Sequence, residues 1–446
     1  MLDAISFLNK YIFGLGVPLL LMLISLFYCV RLKFFHLLHP IKIVKSLFCG
    51  RRSGGVSSAK AVTLALAGTL GVGNMVGVAS AIALGGFGAI FWMWVSAFLA
   101  MILKYAEIVL AMRHRRFDEN GKPHGSAMYY IKDCFGKNKL GIVISTVFAI
   151  LCVLNSLSMG SMIQINAAAS AMNGVFNIPP VLVGTVFSVI AFFSLRKGNS
   201  GVLSITEKLV PLMTVGFVIL SLAVICIRPR DAAEAFSLIF KNAFDFRSGV
   251  GGVVGFLASG SVRSVRYGTM RGMLSNEAGC GTAPAAHAVA DCEIPAKQGI
   301  WGIFEVFVDT VLLCTLTAIV IIIGSDAHIT ENDYMMITVE SYSSVLGSFA
   351  GYFIAVSVLL FGLATVLCWG YYGMESARYL FPYKRVAKAF VFIYSASVVL
   401  GSVISSNIIW EIADLALGSM TFINLTILLI MNREVKESTD SYFFKC

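Results

Sequence analysis

The sequence predicts an all-α polytopic membrane protein of about eleven transmembrane helices, on three observations. Its 446 residues are 58% hydrophobic and only 13% charged, against about 25% charged in a soluble domain, so the apolar excess has no aqueous fold to enter. Two charge-free runs, 61–103 and 140–195, are each long enough for two spans of roughly 20 residues. Lys and Arg collect on alternate connecting segments, the pattern that orients spans in a bilayer.

The spans follow in order. The first is 11–30. Within 61–103 the turn is Gly85-Gly86-Phe87-Gly88, and within 140–195 the break lies near 173–180, where Pro179-Pro180 forbids a continuing helix. A sixth span covers 209–227, and a seventh, short and Gly-interrupted, lies near 249–268. The last four fall near 298–323, 345–374, 387–404 and 408–431.

Segments 31–60, 113–139, 196–208, 263–297, 378–388 and 433–445 hold 28 of the 34 basic residues. This places the amino terminus outside and the carboxyl terminus in the cytoplasm, in a plasma (inner) membrane. The net charge of +10 is then topology, with no nucleic-acid partner implied. Asp3 and the lack of a small-residue cleavage site argue that the first span is an anchor, not a cleaved signal peptide. Ten scattered cysteines suit apolar packing better than a disulfide framework or a zinc site.

Two spans are internally broken. One contains Gly68-Thr69-Leu70-Gly71-Val72-Gly73-Asn74-Met75-Val76-Gly77, and the other Gly249, Gly251, Gly252, Gly255 and Gly260 with Ser259 and Ser261. Unpaired backbone at membrane depth occurs only where it lines a protein cavity. If the first helix is an extra, these are helices one and six of a 5+5 inverted repeat, the arrangement that marks a midplane site in secondary transporters. The organisation is then 1–60 extra helix and basic linker, 61–228 first repeat, 249–431 second repeat and 432–446 tail. Freed N–H groups at Gly71, Gly73 and Gly260 suit a carboxylate, and unwound carbonyls suit Na⁺. The competing reading is close helix packing through small residues such as Gly73 and Gly77.

At these residues the chain resembles the alanine or glycine:cation symporter family. The resemblance rests on GVGNMVGVASAIALGGFGAIFWMW (71–94), KYAE (104–107), MYYI (128–131), TEKLVP (206–211), RGMLSNEAGCGTAPAAHA (271–288), FVDTVLLCTLTA (307–318) and TVLCWGYYGMES (365–376). It implies a leucine-transporter type of fold and Na⁺- or H⁺-coupled uptake of alanine, glycine or a similar small neutral amino acid, with no other cofactor. It also implies that Asn74, Gln164, Thr365 and Trp369 line the substrate. The chain departs from relatives at Phe87, at Gly125-Ser126-Ala127, and at Phe256, Arg263 and Glu305, and a bulky Phe256 bears on substrate size.

Each of these residues has a plainer reading beside the functional one. Asn74 also suits a cap of the restarted helix, Gln164 a bond to a neighbouring helix, Thr365 a bond to its own preceding turn, and Trp369 the interfacial belt. Thr69 and Thr365 are candidate Na⁺ ligands. Asp309, an intramembrane carboxylate, is a candidate for ion coupling, or with Glu305 is pinned by Arg263, Arg266 or Arg271. Lys104 and Glu107, three apart on one helix, read as an ion pair.

The chain is not read as an enzyme. Gly198-Asn199-Ser200-Gly201 mimics a serine-protease motif, but it sits in a basic loop, and none of the six histidines reads as deep in a span. No P-loop supports ATP-driven pumping. An uncoupled channel or facilitator for a small polar solute is the alternative.

Overall fold

The computed structural model describes residues 8–9, 16–48, 55–119, 121–136, 138–244, 260–324, 334–404 and 407–444. Among them seven helices are long and apolar enough to cross a membrane, and one bent pair makes an eighth. Two shorter apolar helices, Val17–Arg31 and Pro180–Arg196, add to these. Val17–Arg31 is α1. The bent pair is α2 (Ser58–Thr69) and α3 (Val76–Gly85), followed by α4 (Gly88–Arg113), α5 (Lys139–Phe176), α6 (Pro180–Arg196) and α7 (Asn199–Ile227).

The second half holds α8 (Gly260–Asn276), α9 (Ala283–His287), α10 (Pro295–Gly324), α11 (Ser348–Leu380), α12 (Lys384–Val403) and α13 (Asn407–Ile430). A polar helix, α14 (Asn432–Phe443), ends the chain. The architecture is the all-α bundle the sequence predicts.

The first break falls where the glycines predict it. α2 stops at Thr69, a 3-10 turn covers Val72–Asn74, and the axis bends by 64°. A second break appears among the described residues beyond the glycine run. Residues 249–259, with Phe256, are outside the described residues, and from Gly260 the chain is continuous helix to Asn276. The chain unwinds after that, where Glu277 (φ 51°), Gly279 (φ 84°) and Gly281 (φ 76°) adopt the left-handed conformation. Glycine accepts it freely and glutamate does not.

This placement puts Arg263, Arg266 and Arg271 on α8, not in a connecting loop, so three of the 28 basic residues leave the charged fringe. The remaining fringe, with Arg113, His124 and α14, defines one end of the bundle, called the basic face here.

Packing divides the helices into two sets. α4 packs most extensively on α8 and α10, and α8 also on α3; separately, α5 packs on α11 and α6 on α12. Close approach through small residues operates at the α4–α8 contact. A Cβ on Gly268 would lie 2.2 Å from the Ala89 carbonyl oxygen, and one on Gly272 would lie 2.6 Å from Ser96 Oγ. At Gly73 a Cβ would meet only Ser275 Cα at 3.8 Å, and at buried Gly77 nothing within 4 Å. Helix packing therefore does not explain Gly73 and Gly77. α5 and α10 each carry a π-helical turn, Ser158–Ile163 and Phe307–Cys314.

Candidate functional site

The site is built where the two breaks meet the π-turns. Because the helix stops at Thr69, the N–H groups of Gly71 and Val72 have no helical acceptor. The Gly71 N–H donates to Asn74 Oδ1 at 3.2 Å, and the Val72 N–H donates to Gln164 Oε1 on α5 at 3.1 Å. Both donors thus face side-chain amide oxygens. A Cβ on Gly71 would sit 2.7 Å from Thr365 Oγ1 and 2.9 Å from Gln164 Oε1, so α5 and α11 close onto the break only because residue 71 is glycine.

Asn74 is the hub. Its Nδ2 donates to Asp309 Oδ1 at 2.8 Å and lies 3.1 Å from the Asp309 carbonyl oxygen and 3.2 Å from Ser275 Oγ. Asp309 sits in the π-turn of α10, where the extra residue per turn re-aims side chain and carbonyl. Its other oxygen accepts from Ser275 and Thr310, both at 2.7 Å. One carboxylate thus joins the 3-10 turn of the first break, α8 and α10 with every neighbour donating, and it touches none of the arginines named as its partners in the sequence reading. Asn74 is 3% exposed and Asp309 0%, so the hub is sealed from solvent. Asn74 also accepts from the Gly71 N–H, within the 3-10 turn, whereas the restarted helix α3 has no side-chain cap, so the cap reading of Asn74 is not met.

Thr365 stands on α11 against the break. Its hydroxyl donates to Phe361 O at 3.1 Å and reaches Leu70 O at 3.4 Å, so its oxygen and the unwound Leu70 carbonyl lie together. Thr69 instead turns its hydroxyl to its own helix, at Ala65 O, 3.5 Å away. Trp369 is fully buried and donates Nε1–H to Glu277 Oε1 at 3.1 Å, which removes the interfacial-belt reading. It sits in the space left by Gly160 in the α5 π-turn, where a Cβ would be 2.3 Å from Trp369 Cβ. Gly260 begins α8, 16 residues before the break at Asn276, and is not part of this cluster.

A second polar layer, absent from the sequence expectations, lies beside the second break. Lys104 is fully buried and pairs with Glu305 at 3.1 Å, while donating to the Asn276 carbonyl at 2.7 Å. Its partner is not Glu107, which instead accepts from the Gly281 N–H at 2.8 Å and from Asn424 at 2.5 Å. The arginines of α8 are not the partners of Glu305; Lys104 and His287 are. His287 is fully buried at the end of the short helix α9, with Nε2 3.0 Å from Glu305 Oε2. Glu277 accepts from Thr282 at 2.7 Å as well as from Trp369. The sequence signal for this layer is SNEAG itself, a carboxylate between helix end and glycine.

Comparisons with known proteins bear on the family and the fold. A sequence profile of the sodium:alanine symporter family matches residues 1–445. The chain is 32% identical to the sodium/alanine symporter AgcS of Methanococcus maripaludis over 449 residues, covering 98% of this chain and 96% of that protein. It is 33% identical to the amino-acid carrier protein AlsT of Bacillus subtilis, over 96% and 88% of the two chains. Among solved structures, that of MhsT in complex with L-phenylalanine superposes with a TM-score of 0.57 at 11% identity, over 87% of this chain and 93% of that one. That likeness establishes an inverted-repeat leucine-transporter type of fold.

Proposed function

The chain belongs to the sodium:alanine symporter family, and we propose that it takes up a small neutral amino acid, alanine or glycine, together with Na⁺ by alternating access. The observation that carries this reading is the first break, where two backbone N–H donors, two amide side chains and a threonine oxygen converge on unwound chain. The substrate carboxylate exchanges with the amide oxygens of Gln164 and Asn74 on the N–H groups of Gly71 and Val72. The free space beside Gly73 and Gly77 fits a hydrogen or methyl side chain, which favours the smallest amino acids.

Na⁺ is held by oxygens at the break, with the Leu70 carbonyl and Thr365 Oγ1 as its first ligands. Thr69 joins them only if its hydroxyl leaves Ala65 O, and Gly260 has no part in binding. Asp309 supplies the negative charge that offsets the ammonium or the ion, through Asn74. The α4–α8–α10 set rocks against the α5–α6–α11–α12 set, with the basic face toward the cytoplasm.

The test is uptake of labelled alanine and glycine into proteoliposomes with and without an inward Na⁺ gradient. Accumulation above equilibrium with the gradient alone is expected. Equal, merely equilibrating uptake in both conditions would overturn coupling and leave the channel.

A further inference from the structure

The buried layer beside the second break contains a histidine to which the transport chemistry above gives no role. His287 ends α9 with both ring nitrogens engaged. Nε2 faces Glu305 Oε2 at 3.0 Å, and Nδ1 faces Gln298 Nε2 at 2.9 Å. Gln298 is itself fully buried, and its Oε1 has no hydrogen-bond partner. Since an amide nitrogen only donates, Nδ1 here accepts, and the ring is neutral with its proton on Nε2. Turning the Gln298 amide over brings Oε1 to the same place, where it accepts from a protonated Nδ1–H. Either orientation pairs one amide atom and leaves the other unpaired. The pair is therefore equally well made for imidazole and imidazolium.

Of the elements around His287, α4 carries Lys104, Tyr105 and Glu107, α10 carries Glu305 and the second break Glu277, all buried. On the other elements packed around α9, Lys60 of α2 is held by Glu207 at 2.7 Å, and Glu375 of α11 is held by His124 and Arg378, each at 2.8 Å. α11 also carries Tyr352, Cys368, Tyr371, Tyr372 and Tyr379, α10 Lys297, Asp309 and Cys314, and α4 Arg113.

The layer is connected to the substrate hub by an unbroken series of contacts. Glu305 binds Lys104, Lys104 binds the Asn276 carbonyl, Asn276 Nδ2 donates to Thr310 at 3.1 Å, and Thr310 donates to Asp309, the partner of Asn74. A change in how Glu305 is shared between Lys104 and His287 therefore bears on the carbonyl at which α8 ends.

We propose that His287, Gln298 and Glu305 form a proton-binding lock on the basic-face half of the bundle. When that half opens, hydronium from the basic-face solution transfers its proton to Nδ1, leaving water, and Gln298 turns to accept from the new N–H. The imidazolium then clamps α9 to α10 through Glu305 and Gln298, holds the half closed, and slows the cycle. Loss of the proton to water releases it. The effect on rate rests on the transport reading; the proton site does not.

The test uses full-length protein with ¹⁵N-labelled histidine, the His287 resonances being those lost in His287→Gln. They are expected to change from one protonated nitrogen to two between pH about 8 and about 5.5. Gln298→Glu should move that transition to higher pH and Gln298→Met to lower pH, and these shifts identify the signal if His287→Gln does not fold. In proteoliposomes, acidifying the basic-face side over the same range should slow Na⁺-driven uptake at least about fivefold, a modest coupling. Gln298→Met should shift that dependence with the resonance. A His287 signal that stays in one state, or ignores both Gln298 variants, overturns the site. A titration without any effect on uptake overturns the lock. Absence of uptake at every pH beside an intact titration sinks the transport reading alone.

Discussion

Asn74 is the residue where one amide does two jobs that pull in different directions. Its oxygen accepts from the Gly71 N–H, and its nitrogen binds Asp309 and Ser275. Asn74→Ala leaves a buried carboxylate oxygen of Asp309 unpaired, at a cost of about 1–3 kcal/mol, while the Gly71 N–H keeps the Thr69 carbonyl at 2.8 Å, so transport should fall at least about tenfold. Uptake measured on variant protein that still inserts and elutes as a single species checks this; wild-type uptake would remove Asn74 from the mechanism. Gly73 offers the complementary experiment. Gly73→Ala adds a methyl that meets nothing closer than 3.8 Å, so the fold should tolerate it while the space for a substrate methyl shrinks. Alanine uptake should drop relative to glycine uptake by about 10-fold, the scale of one methylene in a pocket. Equal losses for both substrates would put the side-chain pocket elsewhere.

Elements were legible in the sequence where local chemistry decides them, and illegible where packing does. Four glycines in ten residues announce the first break, because no helix hydrogen-bonds well through them. The unwinding at Glu277–Gly281, with two glycines and a strained glutamate, is not read from the sequence: the glycine-dense run draws attention to 249–268, of which 260–268 is continuous helix and 249–259 lies outside the described residues. The π-turns have no sequence signature at all. In α5 the turn makes room for Trp369 at Gly160, and Gly160→Ala should overpack that contact by about 1–3 kcal/mol, read as a lower thermal midpoint with α-helix content unchanged. Lys104 and Glu305 are 201 positions apart, so no spacing rule on one helix could pair them. A surface element gives a pH prediction. The strand pair Arg116–Phe117 and Pro123–His124 is tied to α11 by His124 and Glu375 at 2.8 Å, and the Glu375 hydrogen bond raises the His124 pKa. A raised value means the tie is complete below about pH 6.5 and is lost as pH rises through the shifted value. Hydrogen exchange across 116–124, corrected for intrinsic rate, should therefore increase with pH in wild type and not in His124→Gln.

At the scale of the whole molecule, the site lies between α4–α8–α10 and α5–α11, so the proposed rocking of one set on the other would uncover it first from one end and then from the other. The proposed cytoplasmic end is the basic one: even with Arg263, Arg266 and Arg271 on α8, the basic fringe stays at the end that carries Arg113, Arg196 and α14. Cysteines supply the check. Cys226 is exposed at the far end of α7, opposite the basic face, whereas Cys134 and Cys292 are half-buried at the basic face, and Arg115 holds the Cys292 carbonyl at 3.0 Å. A membrane-impermeant maleimide applied to intact cells should label the protein through Cys226, and Cys226→Ser should abolish that labelling. In inverted membranes the labelling should survive Cys226→Ser through Cys292 and Cys134. The reverse pattern would turn the molecule over and make the proton lock an external one, because His287 lies toward the basic face.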